Sequence, residues 1–137
     1  MPLVLCAEDH PEAAKAVRFF LQNMRDMRVV MCRDGGEALD ALAIETPDVV
    51  VLDAMMPCVD GMTVMQTMRA DARLAAVPVI FLTSETSAAF QADCMERGAN
   101  AVLTKPFNPR LLVDEIRRQL KGAAQPAPDA AAPARDS

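Results

Sequence analysis

"VVVLDAMMP", residues 49 to 57, is the stretch on which the reading of this chain turns. Four apolar residues run without a break into Asp53, and two methionines and a proline follow. A short continuous apolar run is the pattern of a strand covered on both faces, as in a parallel sheet. A lone carboxylate is costly to desolvate, so an acid at the end of such a strand needs a partner or a task.

Working outward, the same kind of run recurs four times: "LVLCA" (3–7), "RVVMC" (28–32), "VPVIFL" (77–82) and "AVLT" (101–104), with the quoted strand written as "DVVVL" (48–52). Longer segments with helical spacing lie between them. Ala13, Val17, Phe20, Leu21 and Met24 form one stripe, and Leu112, Val113, Ile116 and Leu120 another. Asp34-Gly35-Gly36-Glu37 fits a capping box, Asn108-Pro109 an N-cap with a first-turn proline, and Gly98 a helix stop. The pattern is (βα) repeated five times. Right-handed crossovers then give a doubly wound α/β fold, a parallel five-stranded sheet with helices on both faces.

Composition narrows the function. A net charge of −5 does not suggest a surface that attracts nucleic acid, so no direct nucleic-acid contact is expected. No apolar run has membrane-spanning length, and "MPLVLCAEDHPEA" lacks the basic start of a signal peptide. Cys6, Cys32, Cys58 and Cys94 form no CxxC pair and read as thiols in a reducing compartment, hence a cytoplasmic protein with no membrane partner. Residues 1–121 read as one domain. Residues 122–137, chiefly "AAQPAPDAAAPARDS" (123–137), read as a disordered Ala/Pro-rich tail or linker stub.

Ligands of a doubly wound sheet bind beyond the carboxyl ends of the strands. Strand 1 ends there in Glu8-Asp9, strand 3 in Asp53, strand 4 in Thr83-Ser84 and strand 5 in Thr104-Lys105-Pro106. Three converging carboxylates repel unless a cation joins them, and a hard divalent ion such as Mg²⁺ suits oxygen ligands beside a phosphate. Lys105 supplies a charge and Thr83 a hydroxyl for a phosphoryl oxygen, while an aspartate can itself form an acyl phosphate. Taken singly, each has a plain structural reading: Glu8-Asp9 as a helix cap, Asp53 as a loop acid, Lys105 as a solvated lysine. Their joint placement at four strand ends favours the phosphoryl site.

The motifs "AEDH", "LDAMMPCVDG", "FLTS" and "LTKPF" together resemble the CheY-like receiver domain of bacterial two-component response regulators, over residues 3–121. The resemblance implies a flavodoxin-like strand order 2-1-3-4-5 and a phosphorylation-activated switch that stands alone or is part of a longer regulator. Asp53 would accept a phosphoryl group from a histidine kinase or a histidine phosphotransfer protein. Asp9, Asp53 and the Met55 carbonyl would ligate Mg²⁺, with Glu8 acting through water. Thr83 and Lys105 would contact the phosphoryl group, and Pro106 would follow a cis peptide. The face made by helix 4, strand 5 and helix 5, residues 86–121, would meet a downstream protein effector, as a monomer or as a phosphorylation-dependent dimer. Such a protein is a phosphoacceptor regulator, not a turnover enzyme, though it catalyses its own phosphoryl transfer and a slow autodephosphorylation. Two departures stand out. Val102 replaces the family's frequent switch aromatic, and an apolar Met55, two after the acceptor, should hinder the attacking water and lengthen the phosphoryl lifetime.

Other readings compete. An aspartyl-nucleophile phosphatase needs a second acid where Met55 stands, and a degenerate receiver would not keep the full acid, hydroxyl and lysine set. Met62, Met65 and Met68 read as core more than as a partner groove. His10, before Pro11, reads as a first-turn or site-edge residue.

Overall fold

In the computed structural model, residues 1–124 are described. The five apolar runs are strands: β1 (Leu3–Ala7), β2 (Arg28–Cys32), β3 (Val49–Asp53), β4 (Val79–Thr83) and β5 (Ala101–Thr104). They alternate with α1 (Pro11–Gln22), α2 (Gly35–Ile44), α3 (Gly61–Ala70), α4 (Ala88–Glu96) and α5 (Pro109–Ala124). The sheet is parallel throughout, in the order β2-β1-β3-β4-β5. β1, β3 and β4 are buried at every residue, as their uninterrupted apolar runs require, whereas the edge strands β2 and β5 are partly exposed.

Alternate residues of each strand point to opposite faces and build two cores. Leu5, Val50, Leu52, Val79 and Phe81 meet Leu42 of α2 and Val64, Met65 and Met68 of α3. Val4, Cys6, Val51, Ile80 and Leu82 meet Val17 and Leu21 of α1 and Leu112 and Ile116 of α5. Met65 and Met68 are therefore core, with Met62 packed at its border. Three details differ from the sequence reading. β4 starts at Val79, because Val77 closes a turn onto the Leu74 carbonyl and Pro78 has no N–H for the ladder. Asp53 lies inside β3 as its last residue. Phe20 stays 38% exposed beside Phe19, the two rings edge to face at 5.7 Å, so only Val17 and Leu21 of the α1 stripe are buried within the helix.

Caps fix the helix starts. Asp34 accepts the Glu37 N–H, but the Glu37 carboxylate reaches back to the N–H of Arg33, one residue before the cap, drawn there by the Arg33 guanidinium at 2.7 Å. Asp60 caps α3 and Ser87 caps α4. The Asn108 side chain accepts the Arg110 N–H as α5 begins. Gly98, at φ 126°, ends α4 as expected. α5 continues to Ala124, past the Lys121 boundary, and residues 125–137 of the expected tail lie outside the described residues.

At the amino ends of β4 and β5, away from the strand-end acids, Arg69 leaves the last turn of α3 and binds the carbonyls of Ala75 and Val77 before β4 and of Gly98 after α4, together with the Asn100 side chain. Among the described residues, no helix is long and apolar enough to cross a membrane. All four thiols are free; Cys6, Cys32 and Cys94 are buried and Cys58 is exposed. Burial pushes the Cys32 thiol up to about 11 and Cys6 higher, which makes both poor nucleophiles.

Candidate functional site

The strand ends converge as the topology demands. Just past β1, the Glu8 N–H donates to the Cys32 carbonyl, which continues the ladder by one residue and turns the Glu8 side chain under the sheet's edge, 1% exposed. Past β5, the Lys105 N–H donates to the Thr83 carbonyl at 2.7 Å, and a cis peptide joins Lys105 to Pro106. The Lys105 ammonium thereby lies 3.0 Å from Asp53 Oδ2 and 3.1 Å from Glu8 Oε2. Asp53 itself is 1% exposed, and its Oδ1 accepts the Met55 N–H at 3.1 Å.

Two glycines let the loop after Asp53 close tightly. A Cβ on Gly61 would stand 2.4 Å from the Asp53 carbonyl oxygen, and one on Gly35 would stand 2.1 Å from the Val59 carbonyl oxygen. The loop from Ala54 to Asp60 is thus wedged between the starts of α2 and α3, and the Asp53 backbone lies against the first residue of α3. Within it Cys58 takes φ 68°, a left-handed conformation uncommon for a cysteine.

One oxygen of each acid, Glu8 Oε1, Asp9 Oδ1 and Asp53 Oδ2, is buried with no hydrogen bond aligned to it, and of the three only Glu8 Oε1 and Asp53 Oδ2 have the Lys105 ammonium in ion-pair range. Buried acceptors of this kind are costly unless something positive meets them. Glu8, Asp9, His10 and Asp53 each place one donor atom within 4.8 Å of the others, so these side chains fit a cation. Burial, and then the neighbouring acids, hold the Asp9 and Asp53 carboxyls above the usual carboxylate range. Burial works against the Lys105 charge, but the Asp53 and Glu8 carboxylates outweigh it and push that ammonium upward.

Thr83 ends β4 beside Thr104 of β5, and its buried Oγ1 accepts the Glu85 N–H at 3.0 Å. The Met55 side chain is 72% exposed at the mouth of the site. The expected residues Glu8, Asp9, Asp53 and Lys105 are therefore brought into mutual contact, with Thr83 on the neighbouring strand end. Next to the ammonium opens a cleft of ≈ 570 Å³ lined by His10, Pro11, Ala13, Ser84, Pro106 and Phe107. Sequence placed His10 at the edge of the site; its Nδ1 lies 3.5 to 4.0 Å from the three acids, a closeness that only the turn out of β1 reveals.

Comparison with known proteins gives a consistent picture. A family model described as the response regulator receiver domain matches residues 4–117. The response regulator Rre1 of Synechocystis sp. is 35% identical over 93% of this chain and 54% of its own length. The chain thus spans about half the length of the curated relatives it matches. Among solved structures, the Francisella response regulator 1452 receiver domain superposes with TM-score 0.82 at 28% identity, covering 89% of this chain and 98% of that one. The receiver domain of the Pseudomonas aeruginosa sensor histidine kinase PA1611, described with a magnesium ion in its active site cleft, gives TM-score 0.78 at 26% identity over 88% and 98%.

Proposed function

The chain belongs to the response regulator receiver domain family, whose general function is that of a phosphorylation-activated signalling switch, and on that premise we propose that Asp53 is its phosphoacceptor. The observation that carries this reading is the placement of the Asp53 carboxylate: buried at a strand end, 3.0 Å from the Lys105 ammonium and within 4.8 Å of donor atoms from two further acids.

An Asp53 oxygen would attack phosphorus in a phosphohistidine of a histidine kinase or histidine phosphotransfer protein, or in a small acyl phosphate. The new O–P bond forms as the P–N bond breaks, and its electron pair returns to the departing imidazole nitrogen. Lys105 would leave Asp53 Oδ2 for a phosphoryl oxygen. The Thr83 hydroxyl, now accepting from the Glu85 N–H, would turn to donate to another. Asp9, Asp53 and the Met55 carbonyl would hold Mg²⁺, and Glu8 would act on it through water. When bound, the ion neutralises charge gathering on the transferred group. The buried, unpartnered Asp9 Oδ1 beside Asp53 supports this ligand set, as does the magnesium described in the PA1611 receiver.

The protein would be a regulator that transfers its own phosphoryl group and loses it slowly, in the cytoplasm, where its free thiols suit a reducing medium. Movement of Thr83 would reach the α4–β5–α5 face, residues 86–121, and alter its affinity for a protein effector, as a monomer or a phosphorylation-dependent dimer. Relatives include proteins named as DNA-binding response regulators, of which this chain spans about half. The chain's net charge of −5 supports a role for these residues in protein contact and not in direct contact with nucleic acid.

Intact-protein mass spectrometry after incubation with Mg²⁺ and acetyl phosphate tests the reading. Wild type should gain one hydroxylamine-labile phosphoryl group and Asp53→Asn none. Equal gain in both proteins would move the acceptor elsewhere. No gain in wild type, together with no binding of beryllofluoride, would remove the switch reading.

A further inference from the structure

We propose that His10 is a nitrogen ligand for a divalent ion in the acidic pocket, and that it gives the pocket a preference for late first-row ions such as Ni²⁺ and Zn²⁺ over Mg²⁺. The inference rests on the reading of that pocket as a cation site. His10 is the chain's one histidine. It occupies the N-cap position of α1, yet its ring makes no capping hydrogen bond. Its backbone does the local work: the N–H donates to Glu8 Oε2 at 3.1 Å and the carbonyl accepts the Ala14 N–H at 2.8 Å. The main chain thus fixes where the imidazole begins, and the largely exposed ring is free to turn inward.

Turned as it stands, Nδ1 lies 3.5 Å from Glu8 Oε2, 3.6 Å from Asp9 Oδ1 and 4.0 Å from Asp53 Oδ2. Adjacent ligands on an octahedral Mg²⁺ sit about 2.9 Å apart. On a tetrahedral ion bound at typical Zn–N and Zn–O lengths they sit about 3.3 Å apart. The separations from Glu8 and Asp9 exceed both figures, and rotation of the exposed ring brings Nδ1 into ligand range for either geometry. Independently of the histidine, Asp9 Oδ1 is buried without a hydrogen-bond partner, in a pocket where Glu8 and Asp53 are almost fully enclosed and Lys105 is the cation that meets Asp53 Oδ2. The direct side-chain donors are then the Asp9 and Asp53 carboxylates and one imidazole nitrogen, with Glu8 reaching the ion through water.

Donor chemistry decides the ion. Mg²⁺ takes oxygen and water and gains little from imidazole, whereas nitrogen ligation favours nickel, copper and zinc. Any ion entering must displace Lys105 from Asp53 Oδ2, leaving the ammonium with Glu8. That cost falls on every ion alike; the carboxylates already hold late first-row ions more tightly than Mg²⁺, and the imidazole of His10 widens that difference.

The test is calorimetric titration of tag-free protein with Mg²⁺ and with Ni²⁺, in wild type, His10→Ala, His10→Asn and Asp53→Asn. All four carry Cys58→Ser, which removes the exposed thiol as a rival nickel ligand. Both His10 variants should bind Ni²⁺ at least tenfold more weakly while Mg²⁺ affinity changes by less than about twofold, and Asp53→Asn should weaken both ions. In wild type, the His10 ring ¹⁵N resonances should shift with Zn²⁺ and not with Mg²⁺. If Mg²⁺ binds and Ni²⁺ affinity is the same with and without His10, the ligand role is overturned and the cation site stands. If wild type binds neither ion, both readings fall together.

Discussion

α3 and α4 follow the strands that end in Asp53 and Thr83, and the sheet holds them in opposite ways. α3 buries Val64, Met65 and Met68 completely, presses Gly61 against the Asp53 backbone, and ends in the Arg69 cluster. α4 buries only Cys94; Phe90 is half-buried, and one side-chain hydrogen bond, from Gln91 to the Thr104 hydroxyl, ties it to β5. The acid side of the site is thus built on a rigid support, as precise positioning of a nucleophile requires. The hydroxyl side is built on a helix that can shift with little loss of packing, as a two-state element requires.

The sharpest way to break this contrast is to truncate each helix in turn. Met68→Ala should cost about 2–5 kcal/mol and Phe90→Ala about 1–2 kcal/mol in urea unfolding. Equal costs, or equal amide exchange rates in the two helices, would erase the difference.

Gly61→Ala sets a methyl against the Asp53 carbonyl. It should lose about 1–3 kcal/mol of stability and also weaken Mg²⁺ binding, whereas Ala88→Gly at the start of α4 should leave Mg²⁺ binding unchanged. Calorimetry on both variants reads this directly.

The pocket's charge should show itself in pH dependence. Burial raises the Asp9 and Asp53 carboxyls above 3.8, so their contribution to stability is full below that value and is lost as pH rises through the higher folded values. Mg²⁺ should offset that loss, and its stabilising increment in thermal unfolding should grow as pH rises above 3.8. A constant increment would argue against both acids as ligands. Lys105 has the same sign of dependence at higher pH: its raised ammonium sustains stability until pH passes above 10.5, where that contribution is lost.

The smallest expected change leaves stability alone. Met55→Asn, at an exposed position on the acid side, should shorten the lifetime of the phosphorylated protein by on the order of tenfold, because a polar side chain can orient the attacking water. Decay followed by mass spectrometry, unchanged in the variant, would refute a role for Met55.

Most of this architecture was legible in the sequence because its signals are local. Apolar runs of strand length, helical stripes and caps at Asp34 and Asn108 each act over a few residues, and the convergence of Glu8, Asp9, Asp53 and Lys105 follows once the strands are parallel. What sequence did not disclose depends on contacts between distant segments. The need for glycine at positions 35 and 61 comes from the backbone of residues 59 and 53. Arg69 binds groups up to 31 positions away, and an arginine in a last helical turn reads as an ordinary solvated end. Phe20 fits the α1 stripe by spacing and yet lies at its exposed border. Val102, in the place of the frequent aromatic, packs against the core shared with α3, as does Phe90 of α4.

The Arg69 cluster also sets the mechanics of α4. It grips the chain at Gly98 and Asn100, immediately beyond the helix's carboxyl end, while the amino end at Ser87 is joined to Thr83 by a short exposed segment. A rod pinned at one end can only swing. Nine residues make a lever about 13 Å long, so a tilt of about 10° carries the free end about 2 Å. The largest travel therefore falls beside Thr83 and the strand-end acids and the least at the pivot.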